Sequence, residues 1–146
     1  VYNYGASLGV RYSVSRNWVI SGNASLARLD HTDQGDGLEE AFNTPMWITN
    51  VGLANPAIWQ NVGVSVNYKY QQSFLWQSSL ATGMVPVINT FDAQISYALA
   101  RPNRAAGPLL IKLGGTNLLN RPYTTFTAGP SVGGFYYATV VLTVLK

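Results

Sequence analysis

The chain has no cysteine and a single histidine. The first absence excludes disulfides and thiolate metal sites, and the second leaves His31 without a His partner at zinc spacing. Charge is scarce as well: charged residues are 10% of the 146, against a globular norm of about 25%. No window approaches the ~18 consecutive apolar residues of a spanning helix. Nine basic and six acidic residues leave a net charge of +3, and no Lys/Arg cluster interleaves with stacking aromatics. No nucleic-acid partner is therefore expected. Opening on Val1, without a charged n-region or an apolar h-region, the sequence is expected to be part of a longer precursor.

What the sequence has is alternation. From Val62 to Gln71, Val62, Val64, Val66, Tyr68 and Tyr70 fall on one face of a strand, and Gly63, Ser65, Asn67, Lys69 and Gln71 on the other. The polar face is made of small uncharged residues, as in the interior of a membrane barrel rather than the Lys/Glu-rich surface of a soluble sheet. The same pattern predicts strands at Tyr2–Val14, Trp18–Leu29, Trp47–Ala54, Val62–Gln71, Thr90–Leu99, Leu109–Leu118 and Phe135–Leu145. Each is long enough to cross the hydrocarbon layer, which takes ~9–11 tilted residues.

The connections carry an independent signal. Short ones (Ser15–Asn17, Asn55–Asn61, Ala100–Pro108) alternate with long ones (His31–Met46, Gln72–Asn89, Asn120–Gly134). An up-and-down meander sorts loops this way when one end faces the periplasm and the other the outside. Tyr12, Trp18 and Trp59 fall near the short-turn end; Tyr2, Trp47, Tyr70, Trp76 and Tyr136 fall near the long-loop end. Two such girdles suit the interfaces of a bilayer, although a soluble barrel would use the same aromatics as core anchors. The expected fold is all-β: an antiparallel transmembrane β-barrel with about seven up-and-down strands. An open edge in lipid leaves unpaired backbone groups, so these strands are expected to belong to a larger barrel or to pair with another chain.

Candidate chemistry is sparse. Gly129-Pro130-Ser131-Val132-Gly133 matches the G-x-S-x-G nucleophile elbow by letters. That elbow requires a preceding strand, a following helix and a downstream histidine, whereas His31 lies upstream, so a Gly/Pro turn is expected and no enzyme. Asp30 to Gly37 is rich in hard oxygen ligands but lacks D-x-D-x-D-G spacing; a solvated loop is the plainer reading, loop-bound calcium the alternative. No other cofactor or metal is expected. Asn23-Ala24-Ser25 is a formal glycosylation sequon placed mid-strand. Arg11, Lys69, Asp92 and Lys112 all fall on polar faces. Facing lipid at the midplane, a Lys or Arg would cost ~2–4 kcal/mol, so these four are expected to line the lumen or contact a plug, or else to pair with one another.

From Ala41 onward several segments form a familiar set: Ala41-Phe42-Asn43-Thr44-Pro45, Tyr68 to Ser79, Val85 to Tyr97, Lys112 to Tyr123, and Gly129 to Tyr137. The G-x-N-L-x-N-x-x-Y element from Gly115 to Tyr123 is the most specific. Together they resemble the C-terminal barrel of TonB-dependent outer-membrane receptors, especially the SusC-like relatives of Bacteroidetes-type bacteria. The resemblance implies a 22-stranded barrel with an N-terminal plug, of which these would be the last seven strands. It implies import of a scarce or large nutrient such as a metal chelate, glycan or peptide across the bacterial outer membrane, driven by the TonB complex. Plug and TonB-contacting segments are not among these 146 residues. Such barrels end on an aromatic residue, whereas this chain ends Val144-Leu145-Lys146.

The expected role is thus barrel wall plus three outer loops. Phe74, Trp76, Tyr123 and Phe126 are the candidates for contact with ligand or with a surface lipoprotein. The rival is a passive porin or a structural outer-membrane barrel, in which only further alternating strands would precede Val1. A plug of about 100–150 residues, one domain's worth, would mark the transporter instead. A soluble lipocalin-like binding barrel is the third reading, and it requires a monomer that needs no detergent.

Overall fold

A computed structural model describes residues 2–15, 17–30, 42–99 and 106–144. In chain order they form β1 (Tyr2–Ser15), β2 (Trp18–Asp30), β3 (Trp47–Trp59), β4 (Val62–Gln71), β5 (Phe74–Gln77), β6 (Thr82–Val85), β7 (Ile88–Leu99), β8 (Ala106–Thr116) and β9 (Phe135–Val144). The seven expected strands are present, and β5 and β6 are added. One antiparallel sheet runs β1-β2-β3-β4-β7-β8-β9, and β5-β6 is a separate hairpin. The large sheet is therefore a meander, with neighbours in sequence adjacent in space apart from that excursion. It is open, with β1 and β9 at its two edges.

Register aligns the apolar faces across the whole sheet. Tyr12, Ile20, Leu53, Val66, Ala93, Gly115 and Tyr136 lie in one cross-strand row. Two residues along each strand changes nothing, but one would turn a strand over, so register of this kind follows from a face whose chemistry must match its neighbours. The opposite face repeats the alignment in polar residues: Arg11, Ser21, Gly52, Asn67 and Asp92 form one row.

Among the described residues nothing covers the apolar face. Leu8 is 71% exposed, Leu113 52% and Val140 65%. Among the described residues only Val85 and Ile88 are buried hydrophobics, and both sit where the β5-β6 excursion leaves the sheet. A soluble sandwich would pack a second sheet about 10 Å away on such a face. Each large side chain left in water forgoes ~1.5–3 kcal/mol of burial. Apart from Val85, no valine whose burial is described is fully buried.

Several boundaries differ from expectation: β7 starts at Ile88 rather than Thr90 and β8 at Ala106 rather than Leu109, and two further differences have a visible cause. β3 was expected to end at Ala54, before Pro56, but pairing resumes at Trp59 opposite Val62. Pro56, Ala57 and Ile58 bulge opposite Gly63, and a bulge accommodates a proline that has no N–H for the ladder. Asn55 Oδ1 accepts from the Ala57 N–H at 2.9 Å and stiffens the bulge. The connection to β4 then shrinks to Gln60-Asn61, with Gln60 at φ 45°. β8 was expected to reach Leu118 but stops at Thr116, because Asn117 takes φ 48° and leaves the strand.

Candidate functional site

Two places gather the chain's chemistry: the polar face of the sheet, and the end where the long connections meet. On the polar face Arg11 is exposed on β1, while Lys69 on β4, Asp92 on β7 and Lys112 on β8 are half-buried. All four share the face that the alternation assigns them.

The structure brings only some of these residues together. Arg11 and Lys112 line one hollow of about 560 Å³ with Ser21, Ser65, Gln94 and Ser96. In sheet order four strands separate β1 from β8, which in a flat sheet places them roughly 24 Å apart at ~4.8 Å per strand. Sharing a hollow means the sheet curls, with the polar face inside. Asp92 is engaged elsewhere: its Oδ1 accepts the Asn117 N–H at 2.8 Å. The expected alternative of ion pairing is not found, for no ion pair joins these four among the described residues. Lys69 lies in a different row, with Asn50 and Thr90 beside it.

Small residues let the polar face fill itself. A Cβ on Gly52 would lie 2.7 Å from Ser21 Oγ and 3.3 Å from Asn67 Oδ1, so its absence is what lets those two side chains converge. Asn50 Nδ2 donates to Asn23 Oδ1 at 2.8 Å, which places the formal sequon in a cross-strand polar pair. Gly114 does the same for Tyr137, whose hydroxyl crosses it to donate to Gln94 Oε1 at 3.2 Å.

At the other end three connections are tied together. Asn43 binds the edge of β5 twice: its Nδ2 donates to the Gln77 carbonyl at 2.8 Å, and its Oδ1 accepts the Gln77 N–H at 2.7 Å. The β5-β6 hairpin turns through Ser78–Ala81, where the Ser78 hydroxyl caps the turn. On its far side Thr127 Oγ1 donates to the Gly83 carbonyl at 3.0 Å, and Trp76 packs on Phe126 with ring centroids 5.5 Å apart. Trp76 therefore belongs to this loop cluster, at the long-loop end where the sequence places it.

The remaining candidates take fixed places. Phe74 is half-buried and pairs with Val85. Tyr123 is half-buried and bridges Val132 through both backbone hydrogen bonds. Gly129 to Gly133 lies in the connection before β9, where Gly129 sits against the Phe126 ring. Asn117 and Asn120, both at positive φ, organise this connection. Asn117 clasps the Arg121 backbone through its Nδ2 and Oδ1, and Asn120 Oδ1 accepts the Gly134 N–H at 2.7 Å. The asparagines of the G-x-N-L-x-N-x-x-Y element are thus turn-formers, since Asn tolerates the left-handed region and can bond the backbone locally.

Sequence reasoning did not single out Asn43, Gln94 or Tyr137. Asn43 could be suspected only as a residue with turn propensity before a strand; the other two act through partners distant in the chain. His31 and the segment from Thr32 to Gly37, expected to be a solvated loop with bound calcium as the alternative, lie outside the described residues, as does most of the Ala100–Pro108 connection. Among the described residues no group of three or more carboxylate or imidazole side chains is placed to hold a metal. Comparison with family models, with curated proteins and with solved structures finds no match for this chain.

Proposed function

We propose that the chain is a stretch of wall from a TonB-dependent importer in the bacterial outer membrane. It contributes barrel strands, part of the lumen lining and three outer loops to the uptake of a metal chelate, glycan or peptide. The observation that supports a lipid-facing wall is the uncovered apolar row from Tyr12 to Tyr136, backed by a polar face on the concave side. In this reading the remaining barrel and the plug complete the lumen, and the TonB complex acts through the plug-bearing part. Trp76 and Phe126, which pack together in the loop cluster, are with Phe74 and Tyr123 the residues assigned to contact with a ligand or a surface lipoprotein. No catalytic step is assigned to any residue.

The curl favours a second reading. Barrel diameter grows roughly linearly with strand number, and a hollow shared by β1 and β8 suits a barrel far narrower than 22 strands. That would be a passive or structural outer-membrane barrel. Reconstitution of the full-length protein into liposomes separates the two. Vesicles that stay sealed to small solutes while the protein binds a ligand support gated import; vesicles that leak without a ligand support the passive barrel. Full-length protein that is monodisperse in buffer without detergent contradicts both.

A further inference from the structure

We infer that the concave face carries an oxyanion-binding hollow, walled by Arg11 from β1 and Lys112 from β8, for a small solute bearing carboxylate or phosphate groups. The lining contains two cations and no carboxylate. Asp92, on the same face, lies outside that lining and has its Oδ1 committed to Asn117. Two like charges beside one hollow repel, although water reaches the exposed Arg11 and screens part of that repulsion. An anion between them reverses the sign of that interaction.

The neutral lining is suited to the same ligand. Ser21, Ser65 and Ser96 present hydroxyls from β2, β4 and β7. Tyr137 occupies Gln94 Oε1, which leaves the Gln94 amide nitrogen as the group free to donate. Arg11 offers a planar fork for bidentate contact with an oxyanion, and Lys112 a compact point charge. At about 560 Å³ the hollow falls within the range of small-molecule sites, about 300–1,000 Å³. The inference rests on the curl of the sheet and the charge of its inner face, and so on the narrower of the two barrels proposed above.

The test is calorimetric titration of the full-length protein in non-ionic detergent with inorganic phosphate and, separately, with citrate, at low and at high salt. Binding that weakens with salt is expected for at least one of the two. The paired variant R11Q/K112Q is expected to lose about tenfold or more in affinity, while the charge-conserving R11K/K112R retains most of it and keeps the claim testable if neutral residues disturb folding. R28Q, which removes a cation from the opposite face, is expected to bind like the parent. Preference for phosphate or for citrate identifies which oxyanion chemistry the hollow serves. Absence of binding by the parent overturns the inference, and so does equal binding by R11Q/K112Q. Neither result bears on whether the apolar face meets lipid, which detergent dependence and liposome sealing report separately.

Discussion

Tyr137 reaches across Gly114 to donate its hydroxyl to Gln94 Oε1 at 3.2 Å, joining β9 to β7 over the intervening β8. The three residues occupy one cross-strand row, and a glycine in the middle is the condition for the contact. A side chain at Gly114 would put its Cβ 2.7 Å from the Tyr137 hydroxyl oxygen and 2.9 Å from the Ala93 carbonyl oxygen.

Gly114→Ala is therefore expected to destabilise the sheet by ~1–3 kcal/mol, the usual cost of overpacking. Tyr137→Phe keeps the ring and removes one hydrogen bond, so a loss of about 1 kcal/mol is expected. Urea titration of both variants in detergent checks the order; Tyr137→Phe proving the more harmful would mean the ring does not lie over Gly114.

Asp92 should matter more than an exposed carboxylate. Its acceptance of the Asn117 N–H anchors the start of the connection that holds Tyr123 and Phe126. Asp92→Ala is expected to cost ~1.5–3 kcal/mol, the range for a hydrogen bond to a charged group, and Asp92→Asn less. Amide exchange at Asn117 is the direct readout. It should quicken in Asp92→Ala relative to amides in the middle of β4, and unchanged protection would show that the bond is not formed in solution.

The loop cluster is expected to behave as a unit. Trp76→Ala, Phe126→Ala and the double variant form a cycle whose coupling should be about 0.5–1.5 kcal/mol, the typical worth of an aromatic pair. Limited proteolysis should cut the Ser78–Ala81 turn faster in each single variant. Zero coupling would mean that the two rings are neighbours without an energetic link.

The sheet was legible in the sequence because its cause is local. Alternation from Tyr2 to Val14 or from Val62 to Gln71 needs no partner to be read, and the register that aligns Tyr12 with Tyr136 follows from matching faces. The differences arise where pairing is not local. Phe74–Gln77 is too short to show a period, and it becomes a strand only against Thr82–Val85. Pro56 looks like a terminator until Trp59 finds Val62 beyond the bulge. The site divides in the same way. The polar faces of Arg11, Lys69, Asp92 and Lys112 follow from parity, but the sharing of one hollow by Arg11 and Lys112 depends on curl, which no window of sequence contains. The Asn43–Gln77 clasp joins residues 34 apart and gives no local signal.

The most direct test of the lipid-facing wall uses the absence of cysteine. Single cysteines placed in turn from Val62 to Gln71, spin-labelled and reconstituted in a bilayer, report accessibility to oxygen dissolved in lipid and to a water-soluble nickel reagent. The expected result is a period of two: Val64→Cys, Val66→Cys and Tyr68→Cys reached by oxygen, Ser65→Cys and Asn67→Cys by nickel. Uniform access of nickel to both sets, or the two sets exchanged, would contradict a wall whose valine-and-tyrosine side meets hydrocarbon.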